Sequence, residues 1–153
     1  MHLVGVRVEM PTNSPIVLLR EAEGQHRVLP IFIGPVEATA IAFAQTEVVT
    51  PRPLTHDLLR DLLLALGVGV DRIVITELRD RTFYAEIVMT TNGSGYTVSS
   101  RPSDAIALAA RLGTPIFADE AAVTMSDDDE EEDDEVERFR EFLEGVNPED
   151  FAS

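Results

Sequence analysis

The chain has 153 residues, 44% of them apolar, enough for one domain with a real core, and no cysteine, which excludes disulfides and thiolate metal sites. Its formal charge of −16 is unevenly spread: residues 127–153 hold 14 acids and 2 arginines, whereas residues 1–126 hold 14 acids and 10 arginines. The body is therefore nearly balanced and shows no basic cluster of the kind a nucleic-acid binder usually displays. No apolar run reaches the length of a membrane span, and the N-terminus alternates like a strand and does not read as a signal peptide, so a cytoplasmic protein is expected.

Residues 3–9 alternate and predict a first strand; Pro11 to Pro15 is a turn. Residues 16–20 and 27–33 predict two more strands around a Glu23-Gly24-Gln25 hairpin turn. Gly34-Pro35 ends the third strand and opens a helix running to about Thr46, and Glu47-Val48-Val49-Thr50 reads as a short extended piece. After the stiff connector Pro51-Arg52-Pro53, a helix over 55–66 is expected, with Thr55 as N-cap and Gly67 as its stop. Leu58, Leu59, Leu62, Leu63 and Leu66 fall on one stripe of that helix, which predicts a buried face opposite Arg60 and Asp61.

A shift of 67 residues restarts the pattern. Strands are expected over 70–75, 83–88 and 96–100, with Asn92-Gly93-Ser94 as a hairpin turn, then a helix over 102–112 closed by Gly113 and a last strand over 115–118. The two helix starts match: Gly34-Pro35-Val36-Glu37-Ala38 and Arg101-Pro102-Ser103-Asp104-Ala105 both place Pro, an acid and small residues in the same order. The expected fold class is α+β: an internal duplication of a β-β-β-α-β unit, mostly antiparallel sheet with covering helices. The duplicated domain spans 1–125, with halves at about 3–49 and 70–116. The alanine faces at 38, 40, 42 and at 105, 107, 109 allow close helix packing, and exposed hairpin edges favour a homo-oligomer, dimer or higher. Residues 126–135 read as a self-repelling acidic linker. Val136, Phe139, Leu143 and Val146 then mark an amphipathic helix over 136–147, suited to docking on the body, a second subunit or a protein partner.

Without cysteine, chemistry falls to carboxylates, histidines and arginines. Glu37, Arg52 with His56 and Asp57, and Arg101 with Ser103 and Asp104 all lie at helix N-termini, where free N–H groups favour an anion. Arg52, Arg101 and Ser103 suit a phosphate; His56 suits a general base, with Asp57, Glu37 and Asp104 as carboxylate partners in a metal-assisted hydrolysis. The same residues also suit plain architecture, because an acid near the third helical position satisfies the helix start. Arg52 and Arg101 equally suit ion pairs with Glu37 and Asp104 that lock the halves together.

Three segments, Leu29-Pro30-Ile31-Phe32-Ile33-Gly34-Pro35-Val36-Glu37-Ala38, Pro51-Arg52-Pro53-Leu54-Thr55-His56-Asp57-Leu58-Leu59 and Arg101-Pro102-Ser103-Asp104-Ala105-Ile106-Ala107-Leu108-Ala109, closely resemble the bifunctional nuclease (BFN) family over about residues 1–125. The resemblance implies hydrolysis of phosphodiester bonds in RNA and/or DNA, an oligomeric domain, nucleic acid as substrate and a divalent ion such as Mg or Mn. One departure is Ser99, where many members carry an acid shortly before the Arg-Pro-Ser-Asp motif. The alternative is a non-catalytic oligomeric binding or regulatory module whose acidic tail engages a protein partner. The two readings part on whether Glu37, His56, Asp57 and Asp104 meet in an open cleft or are spent on one another.

Overall fold

In a computed structural model of the chain, residues 1–9 and 14–123 are described. The expected acidic linker and C-terminal helix fall outside them. Strands β1 (His2–Glu9), β2 (Ser14–Arg20) and β3 (Val28–Phe32) form an antiparallel meander in the order β1-β2-β3. The cross-strand pairs Val17–Ile31 and Leu19–Leu29 put every second side chain on one face, and all four are buried. Helix α1 (Pro35–Gln45) follows and lies against β1 and β2.

After α2 (Thr55–Ala65), the strands β4 (Gly69–Arg79), β5 (Thr82–Thr91) and β6 (Ser94–Ser100) make a second meander. Helix α3 (Pro102–Leu112) returns the chain to β7 (Ile116–Ala118), which pairs parallel to β4 and completes a sheet ordered β6-β5-β4-β7. Its inner face carries Ile73, Ile75, Ala85 and Ile87. The expected α+β class with mostly antiparallel sheet is observed.

Helix α3 is the centre of the molecule. It packs on α1, α2, β4 and β5, and Ala105 to Ala109 are all at most 1% exposed. A helix buried on most sides needs small residues where other elements cross it closely, and the alanines at 105, 107 and 109 supply them where α1 packs on α3. Gly113 ends it with φ of 68°, the left-handed cap geometry that a glycine adopts without steric cost.

Three expectations are corrected. Residues 47–50 form no strand: Glu47 takes φ of 54° and the Val48 N–H bonds back to Phe43 O, so the chain turns onto the end of α1 and does not run beside a sheet. Thr55 is not the N-cap of α2; Leu54 is, and the Asp57 carboxylate caps it by accepting the Leu54 N–H at 3.1 Å. The leucine stripe is only half buried. Leu59 and Leu63 join the core beside buried His56, while Leu58, Leu62 and Leu66 are 49%, 52% and 73% exposed. At 100° per residue the stripe is wider than the face α3 can cover.

Exchanging Ala107 for Leu should overfill the crowded α3 contact and cost about 1–3 kcal/mol in urea unfolding. Leu62→Gln should change the same measurement by less than about 0.5 kcal/mol, because that side chain already stands in solvent.

Candidate functional site

The Arg101-Pro102-Ser103-Asp104 segment ends β6 and starts α3: Arg101 is the N-cap in an extended conformation, Pro102 takes the first helical position, and Asp104 stands in the first turn. Proline there sacrifices no hydrogen bond, and the acid faces the positive end of the helix. From this point a chain of polar contacts crosses three helices. Arg101 Nε donates to Asp104 Oδ2 at 2.8 Å and Nη2 to Asp104 Oδ1 at 3.1 Å. The same Nη2 also donates to Glu37 Oε1 at 2.9 Å, across 64 residues of sequence. On the far side of Asp104, His56 Nε2 donates to Oδ1 at 2.9 Å. Glu37, Arg101, Asp104 and His56 thus tie the starts of α1, α2 and α3 together.

The local sequence makes room for this arrangement. The first copy of the motif has Gly34 where the second has Arg101, and a Cβ at position 34 would lie 2.2 Å from Glu37 Oε2. Glycine lets the Glu37 carboxylate fold back over the start of α1, where Arg101 meets it. Of the remaining expected site residues, Asp57 is drawn elsewhere: its Oδ1 accepts Arg111 Nε at 2.6 Å, and Arg111 also donates to Ala107 O. Arg52 is exposed, and its side chain makes no hydrogen bond or ion pair among the described residues.

Ser103 is 6% exposed, yet its hydroxyl has no hydrogen-bond partner among the described residues. No side-chain nitrogen or oxygen sealed from solvent lacks a partner among the described residues, so Ser103 Oγ opens onto a cavity. That cavity, about 370 Å³, lies between the end of β3, the β4–β5 turn and the start of α3, with Arg81, Arg101 and Ser103 on its wall beside Phe32 and Phe83. Sequence reading missed Arg81, Phe32, Phe83 and Arg111. The signal for Arg81 was its place in an Asp80-Arg81 hairpin turn, where both residues take positive φ, 50° and 64°. The β5–β6 hairpin uses Asn92-Gly93 for the same geometry, the residues that ordinarily adopt it. Arginine there costs roughly 1–2 kcal/mol of backbone strain.

Electrostatically the site is nearly self-neutralised. Burial pushes the Asp104 carboxyl up, but the hydrogen bonds from Arg101 and His56 outweigh it and hold the group below its ordinary range. The Arg111 hydrogen bond does the same for Asp57, against a smaller opposing effect of burial. The Asp104 and Glu37 carboxylates in turn raise Arg101 further. A divalent ion does not fit the residues as placed: among the described residues no three His, Asp or Glu side chains group to hold a metal, and the carboxylates are taken by guanidinium groups.

The start of α3 thus brings exposed Arg101 and buried Ser103 together with a histidine–aspartate pair. The chain belongs to the bifunctional nuclease domain family, whose sequence profile matches residues 17–130. It is 48% identical to an uncharacterized protein of Mycobacterium tuberculosis (strain H37Rv), over 99% of this chain and 96% of that one. Bifunctional nuclease 2 of Oryza sativa subsp. japonica is 28% identical over 73% of this chain and 35% of its own length. Bifunctional nuclease 1 of Arabidopsis thaliana is 26% identical, over 67% of this chain and 32% of its own length.

Asp57 and Asp104 bind protons more weakly in the folded chain than in the unfolded one, where an aspartate titrates at about 3.9. The stability they contribute is present above about pH 5 and is lost as pH falls through the lowered folded values. Urea unfolding across this range should show that decline, and Asp57→Asn should make it shallower.

Proposed function

We propose that this chain is a nuclease that hydrolyses phosphodiester bonds in RNA and/or DNA. The observation that supports this most is the cavity at the start of α3: Arg101 and Ser103 line it, and Asp104 connects it to His56 within two hydrogen bonds. In this reading the phosphate sits on Arg101, on the Ser103 hydroxyl and on the free N–H groups of the first α3 turn. Asp104, whose carboxyl Arg101 and His56 hold below its ordinary range, meets His56 Nε2 and orients the ring behind the cavity wall. In this reading His56 takes the proton of the attacking hydroxyl or water as the new P–O bond forms, and the opposite P–O bond breaks toward the leaving oxygen. Arg101 stabilises the charge that builds on the phosphoryl oxygens. Glu37 and Asp104 position Arg101, Asp57 holds the start of α2, and exposed Arg52 meets the substrate backbone. The protein works in the cytoplasm, and the halves at 3–49 and 70–116 descend from one duplicated unit.

The full chain should cut labelled single-stranded RNA or DNA, assayed with Mg²⁺, with Mn²⁺ and with chelator. His56→Ala should lower the rate at least about 100-fold with the thermal unfolding midpoint checked alongside. Equal cutting by a folded variant would mean a contaminant and sink the assignment.

A second reading, a non-catalytic oligomeric module whose acidic tail engages a protein partner, is favoured by two observations. The carboxylates of the site are already paired with arginines, and α2 turns Leu58, Leu62 and Leu66 to solvent. In that case light scattering should show a homo-oligomer that Leu58→Glu with Leu62→Glu reduces in mass, and purified protein should cut neither substrate.

A further inference from the structure

We infer that the cavity between β3, the β4–β5 turn and α3 is a nucleoside phosphate site, with the phosphate on Arg81, Arg101 and Ser103 and the base against Phe32. The inference rests on the nuclease reading only for where the phosphate lies. Arg81, Phe32 and the base they imply come from the cavity itself.

Four observations carry it. The volume of about 370 Å³ is in the range of small-molecule sites, which runs from about 300 to 1,000 Å³. Ser103 is nine-tenths buried and its hydroxyl meets no acceptor or donor among the described residues, so a polar group stands on the cavity wall with its hydrogen bond unspent. Two guanidinium groups stand beside it with donors to spare. Among the described residues Arg81 makes no side-chain hydrogen bond or ion pair, and Arg101 uses Nε and Nη2 on carboxylates but leaves Nη1 without a partner. Phe32, at the end of β3, keeps 68% of its surface in solvent while lining the same cavity.

The combination selects the ligand. A bare phosphate would use the arginines and the serine but leave the aromatic face wet. A purely apolar ligand would strand two charges. A nucleoside phosphate satisfies both, because any base offers a π-face to an aromatic side chain and its phosphate accepts from a guanidinium fork. The strained turn fits the same account: glycine would relax position 81, and arginine there brings a charge to the rim. Glu37 and Asp104 compete with the phosphate for Arg101, which predicts modest, salt-sensitive affinity.

The test is calorimetric binding of the full chain to inorganic phosphate, to a nucleoside 5′-monophosphate, and to a short single-stranded oligonucleotide. The nucleotide should bind more tightly than phosphate. Phe32→Ala should weaken it about 5- to 100-fold with phosphate binding unchanged. Arg81→Gly should weaken nucleotide and phosphate alike about tenfold while raising the thermal unfolding midpoint, a pairing that loss of folding cannot produce. Glu37→Gln should strengthen both by freeing Arg101. An oligonucleotide that binds more tightly than the mononucleotide assigns the site to a strand; the reverse order assigns it to free nucleotide. Binding of no probe, equal affinity for phosphate and nucleotide, or indifference to Phe32 and Arg81 overturns the inference. Cutting without nucleotide binding in the cavity would overturn it and leave the nuclease reading standing; binding without cutting would do the opposite.

Discussion

The fold depends on helix α3 being surrounded. It meets α1, α2 and the larger sheet, and from Pro102 to Ala109 only Asp104 escapes full burial. Burial of that extent is affordable only with side chains that let neighbouring backbones approach, so the helix is built from alanine with Ile106 and Leu108 as its bulkier fillers. The same constraint fixes where polar chemistry can be placed. A buried helix interior tolerates no unpaired charge, and charged groups therefore collect at the two ends: Arg101 and Asp104 at the start, Arg111 in the last turn.

Arg101 is the joint between this architecture and any activity. One guanidinium serves two carboxylates from different parts of the chain, and 66% of its side-chain surface remains in solvent. Such exposed pairs contribute little to stability individually. Their value is geometric: Glu37 and Asp104 fix the plane of the guanidinium and thereby the direction in which Nη1 projects. Asp104, shared between Arg101 and His56, couples that plane to the imidazole ring. Under the proposed function the same atoms serve architecture and ligand, so the two roles compete.

Sequence patterns revealed most of the fold. Period-two alternation located the strands because each sheet buries one face, and Pro at the helix starts with Gly113 at a helix end gave the boundaries of α3 to the residue. What failed were features settled by tertiary contact. Residues 47–50 look like a strand locally but turn back onto the end of α1, and the leucines of α2 suggest one buried face but are shared between core and solvent. For the site, the motif residues Glu37, His56, Arg101, Ser103 and Asp104 were legible, and they do gather. Asp57 and Arg52 were indistinguishable from them in sequence; only the position of Arg111 draws Asp57 aside. Arg81 lies in no motif, and Phe32, though inside the Leu29–Ala38 segment, reads there as an ordinary strand residue. They reach the cavity only when two meanders fold around the start of α3.

Helix α2 hangs from the body by a connector containing Pro51 and Pro53 and, among its residues, fully buries only His56. Local opening is governed by the apolar surface an element would expose, and on that measure α2 is far easier to release than α3. Detaching α2 would carry His56 away from Asp104 while leaving Arg101, Glu37 and the cavity wall in place. The Arg101–Glu37 contact does not depend on α2, whereas the His56–Asp104 and Asp57–Arg111 contacts hold only while α2 stays seated.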